Sequence, residues 1–224
     1  MSSDNENILV AHGLYKSFGR GLGRVDVLLG LDLAVRRGEF LAVMGPSGCG
    51  KSTLLHVLGL VTPQDRGRIV LDGREVPQVE SRRNELRKKH IGLVFQRFNL
   101  INVLSAADNV AIFLRVRGLP SDGRVHPLLE AMGIAHLAGR KPSEMSVGEQ
   151  QRVAVARAVA HDPEILLADE PTGSLDSQNA AALLELLRRL NRDRGQTIVM
   201  ITHSPEAASY ADRVVHMKDG RLLP

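Results

Sequence analysis

The run MGPSGCGKST places Gly45, Pro46, Ser47, Gly48, Cys49, Gly50, Lys51, Ser52 and Thr53 between an apolar stretch, FLAVM, and a helix-like one, STLLHVLGL. The spacing of Gly45, Gly50, Lys51 and Ser52 is that of a phosphate cradle, G-x-x-x-x-G-K-[ST]. Glycines let backbone N–H groups turn inward around phosphates, and the start of the following helix adds positive potential. Lys51 can then reach the outer phosphates, and Ser52 can offer its hydroxyl to Mg2+. The strand-like and helix-like flanks separate this run from a glycine-rich turn that binds nothing. Cys49, the single cysteine, lies inside the loop, where the helix start and Lys51 favour a reactive thiol whose alkylation would abolish nucleotide binding.

A second cluster stands downstream. EILLADEPTGSLD puts Asp169 and Glu170 directly after the apolar residues Ile165 to Leu167, as a buried strand ending in two carboxylates. Asp169 can hold Mg2+, and Glu170 can position or deprotonate an attacking water. His203 follows TIVMIT, and Gln96 closes IGLVFQ, in the same strand-end setting. Singly, each would read as a structural polar residue; four strands ending in groups able to touch phosphate, metal or water point to one site. In EMSVGEQQR, Ser146 and Glu149 have the spacing of a capping box, with Val147 as the first helical residue and Gly148 as the second.

The elements that position these groups alternate. VLLGLDLAV and EFLAVMG flank RRGE, a candidate hairpin turning at Gly38, and GRIVLDGREV offers another turn at Asp72-Gly73. From residue 97 to 159 the spacing becomes helical in SAADNVAIFLRVRG, GRVHPLLEAMGI and VGEQQRVAVARAVA, an inserted helical subdomain. Alternation then resumes with the strand EILLADE, the helix SQNAAALLELLRRLNRD, the strand TIVMITH, a short helix near PEAASYA and the strand DRVVHMKDG. The expected fold is α/β: one domain over 1–224, with a core from 1–96 and 160–224 built on a mainly parallel sheet and an antiparallel β subdomain near the N-terminus.

Composition narrows the class. The 224 residues carry 29 Lys+Arg against 25 Asp+Glu, a formal charge of +4 that does not by itself indicate nucleic acid. The stretch SRRNELRKKH reads as a charged, solvated helix face. A single cysteine excludes an internal disulfide and a cysteine-built zinc site. MSSDNENILV has neither the basic start nor the apolar core of a secretory signal, and no apolar run approaches the roughly 20 residues of a membrane span. A soluble chain is expected, so that any membrane role needs a partner.

Taken in order, these motifs resemble the ATP-binding subunit of an ABC transporter, over nearly the whole chain. GPSGCGKST is similar to Walker A, ILLADE to Walker B, Gln96 to the Q-loop, SLD at Ser174 to Asp176 to the D-loop, and His203 to the H-loop. MSVGE is similar to the signature pentapeptide Leu-Ser-Gly-Gly-Gln, departing at Met145, Val147 and Glu149. Phe18 in YKSFG matches the aromatic position that stacks on adenine, with Tyr15 the other candidate. Length and segments such as HIGLVFQRFNLI resemble the LolD, MacB and FtsE group most.

The resemblance implies a P-loop NTPase, RecA-like core and two copies facing head to tail, each ATP lying between the Walker A of one and Ser146, Gly148 and Glu149 of the other. It assigns phosphate to Lys51 and its loop, Mg2+ to Ser52, Gln96 and Asp169, the base role to Glu170, γ-phosphate sensing to His203, and coupling between sites to Asp176. It further implies an integral permease contacting Gln96 to Val103, a peripheral position on the cytoplasmic membrane face, and no nucleic acid. A DNA-repair ATPase on the same head would bring long coiled coils or zinc modules, and this sequence has neither. A small-molecule kinase would release a phosphorylated acceptor instead of phosphate.

Overall fold

The structure, a computed structural model, describes residues 6–223; of the stretch MSSDNENILV read above for a signal, the first five residues lie outside it. The chain opens with β1 (Asn7–Phe18) and β2 (Val25–Arg36), which pair antiparallel along nearly their whole length. β3 (Phe40–Met44) leads through the glycine loop into α1 (Lys51–Leu58), and β4 (Arg66–Leu71) and β5 (Arg74–Glu75) then complete a four-stranded antiparallel sheet in the order β2-β1-β4-β5. The β4–β5 turn falls on Asp72 and Gly73, with φ of +50° and +71°. Two successive positive φ values make a primed turn, whose twist suits a hairpin.

The hairpin expected between β2 and β3 is not formed. The chain does reverse at Gly38, whose φ is +70°, but β2 stays with β1 while β3 enters a second sheet. Phe40, Leu41, Ala42 and Val43 are all buried, because β3 is covered on both faces. β2 instead carries one buried and one wetter side over its second half.

The second sheet adds β6 (Ile91–Val94), β7 (Ile165–Asp169), β8 (Thr197–Thr202), β9 (Arg213–Lys218) and β10 (Arg221–Leu222) in the order β10-β9-β3-β8-β7-β6. All neighbours are parallel except the β9–β10 hairpin. Alternate residues go to opposite faces. Phe40, Ala42, Leu166, Ala168, Ile198 and Met200 join one core with the helices α3 (Ala106–Val116), α4 (Val125–Ala131), α5 (Val147–Val159) and α6 (Ser177–Arg194). Leu41, Val43, Ile165, Leu167, Val199 and Ile201 join the other, with α1 and the antiparallel sheet. Each of the larger side chains among them contributes about 1.5–3 kcal/mol by leaving water. The parallel sheet is thus the middle layer, and its strand ends are held rigidly from both sides. The basic stretch forms α2 (Glu80–His90), and α7 (Pro205–Ala208) follows His203. Among the described residues, no helix is long and apolar enough to cross a membrane.

Candidate functional site

Because β3, β8, β7 and β6 are adjacent and parallel, their C-terminal ends share one edge: Met44 pairs with Thr202, Asp169 with Ile201 and Val94 with Ala168. Ligands of open α/β sheets bind at that edge. A cavity of about 400 Å3 opens there. Ser47, Gly48, Gly50, Lys51, Ser52 and Thr53 line it from the loop, and Gln96, Glu170 and His203 from the other three strand ends.

The loop has little room for side chains. A Cβ on Gly45 would collide with the Met217 carbonyl, and one on Gly50 would sit 2.9 Å from the Val27 carbonyl; Gly48, at φ +80°, faces open space. Lys51 is buried, and its Nζ donates to the carbonyls of Gly45 at 2.7 Å and Pro46 at 3.0 Å. An ammonium has three N–H donors, so one is left for a phosphate oxygen. Cys49 is only 6% exposed and sits in the core with Leu54 and Val199, so the fold limits access to the thiol for which the sequence predicts reactivity.

Ser52 Oγ donates to Asp169 Oδ1 at 3.3 Å. Burial raises the Asp169 carboxyl above its ordinary value, against the lowering effect of this hydrogen bond and of His56. A buried carboxylate with too little compensation is what a cation relieves. A hydroxyl and a carboxylate are hard oxygen donors, and Mg2+ commonly takes one or two carboxylates with phosphates and water, so these residues fit it.

Glu170 has φ +43°, a left-handed conformation that costs a non-glycine residue of order 1 kcal/mol. Two hydrogen bonds hold it there: its N–H donates to the Ile201 carbonyl at 3.0 Å, and its carbonyl accepts from the Gly173 N–H at 3.0 Å. The result turns its carboxylate toward His203, whose Nδ1 lies 3.0 Å from Glu170 Oε2. Gln96 packs against Gly173, where a Cβ would come within 2.9 Å of its Nε2.

The aromatic candidates differ. Tyr15 lies across Gly30, whose Cβ would be 2.7 Å from the tyrosine oxygen, so one side of it is occupied. Phe18 pairs with Val25 at the end of β1, is 47% exposed, and has Lys16 Nζ 5.4 Å from its ring centroid. It lies outside the cavity lining, though Val27, two residues beyond its partner, is part of it.

Ser146, Gly148, Glu149 and Asp176 do not line this cavity. They form a second polar locus at the starts of α5 and α6. Ser146 caps α5 by accepting from Glu149 N–H at 3.3 Å, while its own N–H donates to Glu149 Oε2 at 2.7 Å. That N–H and the Ser146 hydroxyl, which donates to the same Oε2 at 2.9 Å, hold the Glu149 carboxyl below its ordinary value. Val147 is exposed and needs no left-handed backbone, and it leaves this helix start intact.

Sequence reading missed two residues behind Gln96. Arg157 is buried, donates to the carbonyls of Asn99 at 2.6 Å and Phe98 at 2.7 Å, and lies 4.8 Å from the Phe113 ring centroid. Burial pulls its pKa down to about 10, which still leaves it a cation at neutral pH. Asn109, fully buried, accepts from Ile101 N–H and donates to the carbonyls of Ile101, Leu104 and Ser105. Both occur inside helical runs, where local pattern gives no sign of their loop partners.

The family model described as ABC transporter matches residues 28–173. The chain belongs to the ABC transporter family. Among curated relatives it is 44% identical over 220 residues to the lipoprotein-releasing system ATP-binding protein LolD of Bordetella avium, covering 96% of each chain. It is 41% identical to the bacitracin export ATP-binding protein BceA of Halalkalibacterium halodurans, covering 96% of this chain and 87% of that one. Among solved structures, a dimeric ATP-binding cassette in a post-hydrolysis state with ADP and Pi superposes with a TM-score of 0.89 at 33% identity, over 96% of this chain and 97% of that one. The fold is that of the ABC ATPase cassette, and the chain is a nucleotide-binding ATPase subunit of this family.

Proposed function

We propose that this subunit dimerises around two ATP molecules and transmits the closure to a separate integral membrane permease, in a lipoprotein-release, export or force-transmitting system. The observation that carries the reading is the convergence of four strand ends on one cavity, with Glu170 strained into position beside His203.

In this scheme the loop N–H groups and Lys51 hold the phosphates, and Phe18 stacks on adenine. Ser52, Asp169 and Gln96 would hold Mg2+, which supplies positive charge to the outer phosphates when bound. Glu170 orients a water for in-line attack on the γ-phosphorus and accepts its proton as the bond to the β–γ bridging oxygen breaks, leaving ADP and phosphate. His203, within reach of Glu170 and the cavity, senses the γ-phosphate. Ser146, Gly148 and Glu149 of the second copy complete each site, with Asp176 between the two.

The permease docks on the segment Gln96 to Val103. Support comes from its construction: Arg157 and Asn109 pin its backbone from behind, while Ile101 and Val103 are exposed in front. A rigid segment presenting apolar side chains suits a partner helix. The family's working place, the cytoplasmic face of the membrane, follows from that docking.

Replacing Glu170 by Gln tests the chemistry. The amide keeps the shape but cannot take the proton, so turnover falls by about 10²–10⁴-fold, while ATP binding and the ATP-bound dimer persist in gel filtration. Unchanged turnover would remove Glu170 from the base role.

A further inference from the structure

At the starts of α5 and α6 the side chain of Asn179 lies against Gly148. Asp176 caps α6, and Asn179 answers it twice: its backbone N–H donates to Asp176 Oδ1 at 2.9 Å, and its side-chain Nδ2 donates to Asp176 Oδ2 at 2.7 Å. The second bond fixes which way the amide faces, since Nδ2 points to Asp176 and Oδ1 must point away. On that side stands Gly148, buried at the second position of α5. A Cβ built on Gly148 would lie 2.7 Å from Asn179 Oδ1 and 2.9 Å from its Cγ.

A side-chain end normally moves aside for a methyl group. Here the amide can rotate away only by giving up its bond to Asp176. A larger residue at Gly148 therefore has to displace the Asn179 amide within the chain itself, whatever approaches it from outside. Both bonds from Asn179 also hold the Asp176 carboxyl below its ordinary value, so this cap is formed by an anion.

We propose that Asn179 is a positioning residue that ties, within one chain, the α6 cap carrying Asp176 to the α5 start carrying Ser146 and Gly148. It thereby sets the spacing between two groups that a second copy of the chain meets at different places. This rests on the composite-site reading above for its effect on turnover, although the contact itself does not.

A double-mutant cycle between Gly148→Ala and Asn179→Ala decides it, followed by thermal midpoint, kcat and KM for ATP. Asn179→Ala keeps the backbone N–H bond to Asp176 and should fold normally. Gly148→Ala alone should lower both the thermal midpoint and kcat, the latter by about 10-fold or more, since small misplacements at a site are costly. Adding Asn179→Ala should remove the clash, restoring most of the midpoint and about 5-fold or more of the kcat lost, a non-additivity expected only for residues in contact.

Asn179→Asp preserves size but replaces the donor with a second carboxylate beside Asp176. It should lower kcat more than KM, by about 3-fold or more, and should fail to reproduce wild-type turnover despite its shape. Equal deficits of Gly148→Ala in both backgrounds, or wild-type kcat in Asn179→Asp, would overturn the proposal. Failure of the composite reading would show separately, as wild-type activity that does not depend on protein concentration. The thermal cycle would then decide the contact alone, with additive midpoints counting against it.

Discussion

His161 shows how much one buried side chain can commit the molecule to a pH range. Its Nε2 faces the Ile91 carbonyl at 3.2 Å, a bond that a neutral ring satisfies by donating from Nε2, and its Nδ1 has no hydrogen-bond partner among the described residues. Burial, reinforced by the Arg117 charge, lowers its pKa to about 4. A histidine with a depressed folded pKa binds its proton more readily when unfolded. Its contribution is present above the unfolded value of 6.5 and is lost as pH falls from there toward about 4. Denaturant unfolding of wild type at pH 7 and pH 5 should differ by about 1–2 kcal/mol more than that of His161→Gln, allowing for solvent screening. Parallel curves for the two proteins would show that His161 does not titrate with folding. Asp169 acts in the opposite sense. Burial raises its carboxyl, so its ionised form costs stability above the folded value, and that cost disappears as pH falls below the unfolded value of 3.8. Asp169→Asn should therefore raise the thermal midpoint in Mg2+-free buffer at neutral pH while abolishing hydrolysis. A lower midpoint would mean that the carboxylate is already well compensated.

At the scale of elements, the start of α5 serves both as a helix cap and as an anion-binding corner, and the two roles can be separated. Ser146→Ala removes the side-chain acceptor for Glu149 N–H and should cost about 1 kcal/mol, whereas Ser146→Gly should cost only a few tenths. If the hydroxyl touches ATP across the dimer, both variants lose activity alike while the alanine variant loses much the more stability. Activity that tracks stability would reduce Ser146 to a cap. This box was legible in EMSVGEQQR because capping is local, as were the phosphate loop with its flanks and the acidic end of β7. What escaped was pairing between distant segments. The reversal at Gly38 looks the same locally whether β3 folds back on β2 or leaves for another sheet. The clue was in the residues: FLAVM is apolar throughout, the pattern of a strand buried on both faces, while much of β2 alternates. β10 was missed although Asp219-Gly220, with φ of +46° and +75°, is a recognisable hairpin turn. The approach of Asn179 to Gly148 and the bonds of Arg157 to Phe98 and Asn99 could not be found this way, since each depends on how segments distant in sequence come together.

For the whole molecule, the decisive feature is that the residues the sequence points to as its site fall in two places. Lys51, Gln96, Glu170 and His203 surround the cavity, while Ser146, Gly148 and Asp176 lie at the α5 and α6 starts outside its lining. A helix N-terminus is a ready anion site, so one chain alone leaves that corner without the phosphate it suits. A second copy turned head to tail would join each corner to the opposite cavity, and hydrolysis would then require association. The ATPase rate plotted against protein concentration on logarithmic axes should start with a slope of about 2 and fall to 1 as dimers saturate, by mass action. The E170Q protein should elute near twice the chain's mass with ATP and at the chain's mass without it. Light scattering on the same samples guards against a dimer that forms before dilution. A slope of 1 throughout, in protein shown to be monomeric with ATP bound, would place all the necessary groups within a single chain, and the second locus would then have to act on something other than nucleotide.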